Sequence, residues 1–538
     1  MDHNIRNNLS DRIFCNIRKY SEKILLSDKF VSFTGADIFA FVQEIKQHFA
    51  LLSQKKERIG ILIPNSAVLA VAVLAVLALR RIPVILNPYA RKEPVESLLQ
   101  KLNLDFLIVS KAAYPEFVSP CSFIHINMTG RMTLIKRNKE TKPRNVPREG
   151  TSMILYTSGA EGEPKGVQIS ETGIKYTIDY LTGYYKLNES TISACLMPLW
   201  HSMGINTQFL PTFFAGGTCV FFEISMSLGK ICRHIILSES TFVVLITEFL
   251  QLCFEEKNRR GLDPALKVQH IQIAGGPIRE DHLRKAMLLF PNAIVHKGYG
   301  LTEATRVSMI NSRDSQFFSN AEGYVLPELD VKILDEAGNT LPPDTIGEIH
   351  VKGPNVMLGY DNDDNDSPIK DGFLSTGDLG SLTSDNRLCI HGRKDSIFKM
   401  FGERISGHEI ENTARFISPY FRDVKCLPFE HYGRVQPVLF VELYPIDSEN
   451  IFSELKSGFR KALRKRFNRK LKLLSDIYFM SNLPRTYNGK ISKKALKDIV
   501  RDEKAEYLGK NGKLRFFYQP EHIGGDLCGA HIEKRESH

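Results

Sequence analysis

The chain has 538 residues, of which 43% are hydrophobic and 25% charged, with a formal net charge of +10 at pH 7. That length exceeds what one hydrophobic core supports and the composition is that of a folded protein, so two or more packed domains are expected and a disordered chain is excluded. The positive balance suits an anionic partner: nucleotide, CoA, acidic carrier protein or membrane surface, with no sign of nucleic-acid recognition.

Nine cysteines, at positions 15, 121, 195, 219, 232, 253, 389, 426 and 528, stand singly. Without a C-x-x-C pair they suggest neither a zinc site nor a disulfide framework, and a reducing cytoplasm is expected. The N-terminus carries Asp2 and Arg6 ahead of any apolar block, unlike a signal peptide. Ala67 to Leu79 is an apolar run of 13 residues, shorter than the ~20 that span a bilayer.

Up to residue 150 the pattern alternates: strand at 59–63, helix at 66–80, strand at 83–86, helix at 94–102, strand at 106–109. This predicts a parallel sheet flanked by helices. Met153 to Tyr156 is a further strand, leading into Thr157-Ser-Gly-Ala-Glu-Gly-Glu-Pro-Lys-Gly166. The chain extends again at Val167–Ile169, and Ser170 is a helix N-cap candidate. In the loop Gly159, Gly162 and Gly166 allow close backbone approach to an anion, Thr157 and Ser158 offer hydroxyls, and Lys165 offers a charge. It is not a Walker A loop, which needs Gly before the Lys and Ser or Thr after it. A surface turn and a phosphate-holding loop are both open on these residues alone.

Thr241–Ile246 reads as a strand with Thr247 able to cap the next helix, and Ile271–Ala274 as a strand ending in Gly275-Gly276-Pro277. A helix over about 280–289 precedes the strand Ala293–His296, which opens onto Gly298-Tyr-Gly-Leu-Thr-Glu303. Ligands in open α/β sheets sit at the carboxyl ends of strands, which makes the loop with Gly276 a candidate ligand contact, a nucleotide contact on the family resemblance given below. From residue 330 short strands with tight turns take over. After Arg393 a smaller α+β unit is expected, with helices at about 407–417 and 453–472, strands near 423–428 and 436–443, and a last helix from Ser492. The boundaries read as 1–394, 395–508 and a loosely ordered tail at 509–538.

Several separate stretches resemble one family. They are Tyr156-Thr-Ser-Gly…Pro-Lys-Gly166, Pro198-Leu-Trp-His-Ser-Met-Gly204, Gly298-Tyr-Gly-Leu-Thr-Glu303, Gly347-Glu-Ile…Gly359-Tyr360, Ser375-Thr-Gly-Asp378, Gly392-Arg-Lys-Asp395…Gly402 and Pro484-Arg-Thr-Tyr-Asn-Gly-Lys490. In this order they are similar to the adenylate-forming (ANL) superfamily of acyl-CoA and acyl–acyl-carrier-protein synthetases, adenylation enzymes and luciferases. The resemblance implies an α/β fold: a large N-terminal domain of parallel-type sheets with a β-rich subdomain, and a small mobile α+β C-terminal lid. It also implies a two-step reaction that uses ATP and Mg²⁺. A carboxylate attacks the α-phosphate to give acyl-AMP and pyrophosphate. The thiol of CoA, or of a carrier protein's phosphopantetheine, then takes the acyl group.

On that resemblance the glycine loop holds the β- and γ-phosphates, Thr302 bonds the α-phosphate and Glu303 ligates Mg²⁺. Tyr299 lies against adenine, Asp378 accepts from the ribose hydroxyls, and Arg393 adds a donor. Lys490 neutralises charge on the α-phosphoryl and bridging oxygens. Asp395 is the hinge, and the face around Lys399 and Gly402 serves the thiol step.

His201 stands where amino-acid-activating members carry an Asp, so a lipophilic acid such as a fatty acid is expected. Its ring either lines the acid entrance or packs in the core. Phe209 to Phe222 walls an acyl tunnel or is core. Residues 456–472 hold nine Lys/Arg and no Asp/Glu. They form either a solvated face or a contact for an acidic carrier protein, CoA phosphates or a peripheral membrane surface. Two departures from the family stand out: Ala160-Glu161 replaces small hydroxyl residues in the loop, and Phe401 replaces a small residue before Gly402.

Overall fold

After Ser66 the apolar run folds as the helix Ala67–Ala78, and each of its residues is buried. A helix apolar on all sides is stable only when covered on all sides. Ser66 caps it, its hydroxyl accepting from Leu69 N at 3.2 Å. The structure, a computed structural model, describes residues 8–49, 57–89, 98–102, 104–110, 122–135, 147–158, 164–222, 228–237, 239–276, 278–361, 367–394, 397–400, 403–407, 410–411, 414, 421–431, 434–443, 476–480, 482–485, 491–506 and 514–517. Contacts divide the chain into two units, 1–394 with 486–490, and 395–485 with 491–538.

Two sheets build the first unit. One has eight strands. Its centre is the parallel set Thr151–Ser158, Ile82–Ile85, Arg58–Leu62, Phe106–Ser110 and Phe123–Ile126. Antiparallel strands close both edges: Met132–Ile135 on one side, Pro164–Ser170 and then Gly359–Tyr360 on the other. Ile82–Ile85, Arg58–Leu62 and Phe106–Ser110 are buried along their whole length, as parallel strands covered on both faces must be.

The second sheet has fourteen strands and changes character midway. Ile24–Ser27, Thr218–Phe221, Ile192–Cys195, Phe242–Ile246, His270–Ala274 and Ile294–Leu301 run parallel. From Ile294–Leu301 onward, Ala304–Asn311, Ala321–Val325, Arg387–Arg393, Phe373–Leu382, Gly347–Lys352 and Asp330–Leu334 are antiparallel. The β-rich stretch after residue 330 is therefore the far end of this sheet, joined through Ala321–Val325.

The structure refines the sequence reading in three places. The strand expected to stop at His296 continues through Gly298-Tyr-Gly to Leu301. A Cβ at Gly298 would lie 2.2 Å from Ser308 O and one at Gly300 2.5 Å from Thr305 O, so these glycines admit a close neighbouring strand rather than a loop. The cap position before the helix Thr247–Arg260 falls on Ile246, and Thr247 is already helical. Phe209, Phe213, Phe221 and Phe222 are buried in the apolar cores, which favours core over tunnel wall.

In the second unit Phe421–His431 and Arg434–Leu443 form a long antiparallel pair. Asp476–Met480 adds in parallel, and Leu514–Phe517 pairs with it. That last strand lies in the stretch expected to be a loose tail. The helix Lys493–Glu506 packs Leu496 and Val500 on Val438, Phe440 and Tyr478. Ser492 Oγ accepts from Ala495 N at 3.2 Å, as an N-cap does. Among the described residues no helix is long and apolar enough to cross a membrane.

Candidate active site

The strand–loop–strand at 155–169 is a β-hairpin, Thr151–Ser158 against Pro164–Ser170, with Thr157 opposite Lys165. Residues 159–163 between them, with Gly159, Ala160, Glu161 and Gly162, lie outside the described residues, as does the side chain of Ser158. Ser170 ends the hairpin as the expected cap, its hydroxyl accepting from Gly173 N at 2.9 Å. Beneath the hairpin is a buried ion pair: Arg58 Nη2 and Asp361 Oδ1 are 2.9 Å apart, and Tyr156 Oη donates to Asp361 Oδ2 at 3.0 Å. Burial pushes the Asp361 carboxyl above its ordinary range, against the pull of Arg58 and Tyr156. Gly166 is confined here, since a Cβ would meet Tyr156 Cζ at 2.7 Å and Asp361 Cβ at 2.9 Å.

Thr302 and Glu303 form the tip of the hairpin between Ile294–Leu301 and Ala304–Asn311. Tyr360 Oη donates to Glu303 Oε1 at 2.9 Å, and Met357 N donates to Glu303 O at 2.8 Å. Lys165 is exposed, and its Nζ lies 4.9 Å over the Tyr360 ring. One tyrosine thus presents its hydroxyl to the carboxylate and its π-face to the cation. Tyr360 was visible in the sequence only as part of Gly359-Tyr360; pairing of Gly359–Tyr360 with Val167 and Gln168 gives it this position.

A third cluster is held by register. Asp378 and Arg393 face each other across Phe373–Leu382 and Arg387–Arg393, with Arg393 Nη1 3.1 Å from Asp378 Oδ1. Tyr299 Oη donates to Asp378 Oδ2 at 2.5 Å. Burial, reinforced by the Asp378 charge, pushes the Tyr299 phenol well above its ordinary value, so it remains a donor. Thr376 braces the carboxylate from behind: its Oγ1 accepts from Asp378 N at 3.1 Å and donates to Ile349 O at 2.8 Å. A carboxylate has about four lone-pair sites, so two engaged oxygens still leave room for hydroxyl donors. Gly276, at the end of His270–Ala274, has no atom within 4 Å of where a Cβ would stand, so its backbone borders open space.

Pro198–Ser202 turns into a π-helix, Met203–Phe209, which the sequence did not signal. His201 N donates to Pro198 O at 3.0 Å, and its half-buried ring lies 6.2 Å from that of Trp200. Gly204 is required there, since a Cβ would lie 2.2 Å from Pro198 O. Ser202 Oγ and Thr305 Oγ1, 3.3 Å apart, tie this segment to the strand that follows Glu303.

Thr157, Lys165, Gly166, Gly276, Tyr299, Thr302, Glu303, Asp378, Arg393 and His201 are described, all in the first unit. Asp395, Phe401, Gly402, Lys490 and the basic stretch 456–472 lie outside the described residues. Lys399 lies in the strand Ile397–Met400, with only its backbone described. Among the described residues no group of three or more His, Cys, Asp or Glu could hold a metal. A lone Glu303 carboxylate suits Mg²⁺, which keeps waters and takes most of its other ligands from phosphate oxygens.

Comparison with known proteins gives a consistent result. The family model described as AMP-binding enzyme matches residues 14–361. The chain is 28% identical over 386 residues to indoleacetate–CoA ligase of Aromatoleum aromaticum, covering 68% of this chain and 71% of the relative. It is 27% identical over 536 residues to 4-coumarate–CoA ligase of Vanilla planifolia, covering 92% and 94%. Among solved structures, o-succinylbenzoate–CoA synthetase from Bacillus subtilis with its acyl-adenylate intermediate superposes with a TM-score of 0.75 at 23% identity, covering 94% of this chain and 99% of that one.

Proposed function

Because the chain belongs to the AMP-binding enzyme family, as the match over residues 14–361 shows, we propose that it activates a lipophilic carboxylic acid with ATP and passes the acyl group to CoA. The observation that carries this reading is the Lys165–Tyr360–Glu303 arrangement, in which an exposed ammonium and a carboxylate, suited to phosphate and to Mg²⁺, share one tyrosine. The 4-coumarate and indoleacetate ligases among its relatives support an acid–thiol ligase and a lipophilic acid of the aryl kind.

In the first step an oxygen of the substrate carboxylate forms a bond to the α-phosphorus as the bond to the bridging oxygen breaks and pyrophosphate leaves. Lys165 and the loop before it hold the β- and γ-phosphates, and the Thr302 hydroxyl donates to the α-phosphate. Glu303, oriented by Tyr360, would hold Mg²⁺, which neutralises phosphate charge when bound. Asp378 accepts from the ribose hydroxyls with Arg393 beside it, and Tyr299 stands against the base. Lys490 neutralises the developing charge and so lowers the adenylation barrier by about 3 kcal/mol or more. In the second step the CoA thiolate attacks the acyl carbonyl and AMP leaves, with Asp395 as hinge and Lys399 and Gly402 on the thiol face.

Pyrophosphate release with ATP, Mg²⁺ and a panel of acids tests this, run without thiol, with CoA and with a carrier protein bearing phosphopantetheine. Release in all arms with thioester only from CoA is expected. Thioester from the carrier protein alone reassigns the acceptor, and no pyrophosphate from any acid rules out the ligase. Lys490→Ala should lose at least a hundredfold in adenylation while still binding ATP.

A further inference from the structure

One buried polar cluster has no part in the chemistry above. Thr305 stands on Ala304–Asn311, two residues beyond Glu303, and is 8% exposed. Its Oγ1 lies 3.3 Å from Ser202 Oγ. Asn206 Nδ2 donates to both oxygens, at 3.3 Å to Ser202 and 3.5 Å to Thr305. Ser202 directly follows His201, and Asn206 lies four residues on, in the π-helix, 2% exposed. The three side chains close a triangle between the His201 segment and the strand that leads from Thr302-Glu303. The Thr305 backbone is fixed on another side, where its carbonyl oxygen faces Gly300 too closely to admit a Cβ.

Packing alone does not select this triangle. Asn206 Oδ1 is buried without a hydrogen-bond partner, and an unmet buried acceptor costs about 1–3 kcal/mol. Apolar side chains of similar volume would fill the space without that cost. What the polar groups add is direction: a closed set of hydrogen bonds holds two segments at one separation and orientation, where apolar contacts leave more freedom. We propose that Thr305 is a positioning residue, whose hydroxyl, gripped by Ser202 and Asn206, sets the spacing between His201 on the acid side of the site and the Thr302-Glu303 tip on the phosphate side. This rests on the acid-activating reading above. In the adenylation step a carboxylate oxygen has to meet the α-phosphorus at about 3–3.5 Å, and a misplacement of about 1 Å costs roughly a hundredfold in rate. Loss of the tie therefore acts on turnover, with binding of each separate substrate little changed.

Thr305→Val keeps the shape and removes the hydroxyl, whereas Thr305→Ser keeps the hydroxyl. Both are compared with wild type in pyrophosphate release with Mg²⁺-ATP and an aryl acid, with thermal unfolding run alongside. In Thr305→Val kcat should fall roughly tenfold or more, while KM for the acid and for ATP stay within about threefold. Thr305→Ser should recover most of the lost turnover. Ser202→Ala should lose about as much as Thr305→Val, and the double variant no more than either, because the pair acts as one unit; Ser202→Ala decides the matter should Thr305→Val not fold. An unchanged kcat in the folded variants overturns the inference. A higher KM for the acid at unchanged kcat also overturns it, since the hydroxyl would then touch substrate. Losses that add in the double variant, or turnover that Thr305→Ser does not recover, overturn it as well. Each of these results spares the ligase, because wild type still releases pyrophosphate. No pyrophosphate from wild type with any acid refutes the ligase, and the inference with it.

Discussion

Tyr360 and Glu303 are 57 positions apart in the chain and joined by a 2.9 Å hydrogen bond. The phenol fixes one carboxylate oxygen and leaves the other to turn toward a ligand. Because Lys165 rests on the same ring, the proposed metal-binding and phosphate-binding groups are oriented by one side chain. A preoriented carboxylate loses less freedom when it binds a cation.

Tyr360→Phe removes the hydroxyl and keeps the ring under Lys165. A hydrogen bond to a charged group contributes about 1.5 kcal/mol. The Mg²⁺ concentration for half-maximal pyrophosphate release should therefore rise roughly tenfold, with protein stability little changed. An unshifted Mg²⁺ titration would show that Tyr360 does not orient Glu303.

Asp378 stands at the proposed nucleotide arm of the site. Asp378→Asn keeps its shape but loses the charge that pairs with Arg393 and accepts from Tyr299. AMP affinity, measured by calorimetry, should fall by about 2 kcal/mol, roughly thirtyfold. Arg393→Met should cost less, since the arginine side chain is 47% exposed and its ion pair is screened by water. Equal AMP affinity in wild type and Asp378→Asn would remove the carboxylate from the nucleotide site.

Under the hairpin of Thr151–Ser158 and Pro164–Ser170 the Arg58–Asp361 pair is nearly dry, with side chains 8% and 2% exposed. Breaking a buried pair strands the remaining charge, at about 3–5 kcal/mol. Arg58→Met should lower the Tm of the first unit and raise the KM for ATP, because the Pro164–Ser170 strand loses its floor. Adding Asp361→Asn should recover part of the Tm by removing the stranded charge. A double variant no more stable than Arg58→Met would show that the loss comes from packing rather than charge.

The sequence carried the local part of this picture. Ser170 announced a helix start because a hydroxyl at that position satisfies an orphan N–H group, and it caps as expected, whereas Thr247, read the same way, lies inside its helix. Asp378 and Arg393 were legible as separate motifs, but their contact is a matter of strand register, which only the assembled sheet supplies. Tyr360 and Thr305 were missed for the same reason: a tyrosine after glycine and a threonine inside a strand take their meaning from partners 57 and 103 residues away. The π-helix was hidden because Met203–Phe209 has no local feature that selects the wider turn; Gly204 pressed on Pro198 O is a tertiary demand.

A pH dependence follows from the paired histidines His270 and His296, whose Nδ1 and Nε2 are 3.0 Å apart. Their rings stack at 5.3 Å, with Tyr185 edge-on to both. His296 is 1% exposed, and burial, with His270, Arg306 and Arg313 adding positive charge, holds its pKa well below 6.5. Burial, with Arg313 and Lys186, lowers His270 as well. Both are therefore neutral in the folded chain near pH 7. In the unfolded chain each takes a proton near its ordinary value of 6.5. Their contribution to stability is thus complete above about pH 6.5 and is lost as the pH falls below it toward the folded values, by up to about 1.4 kcal/mol per pH unit per histidine. His296→Gln removes one of the two titrations. Between pH 7 and pH 5 its Tm should fall less steeply than that of wild type, even if it starts lower. Parallel Tm profiles in thermal unfolding would show that His296 stays neutral in both states or charges in both, and the burial argument for this pair would fail.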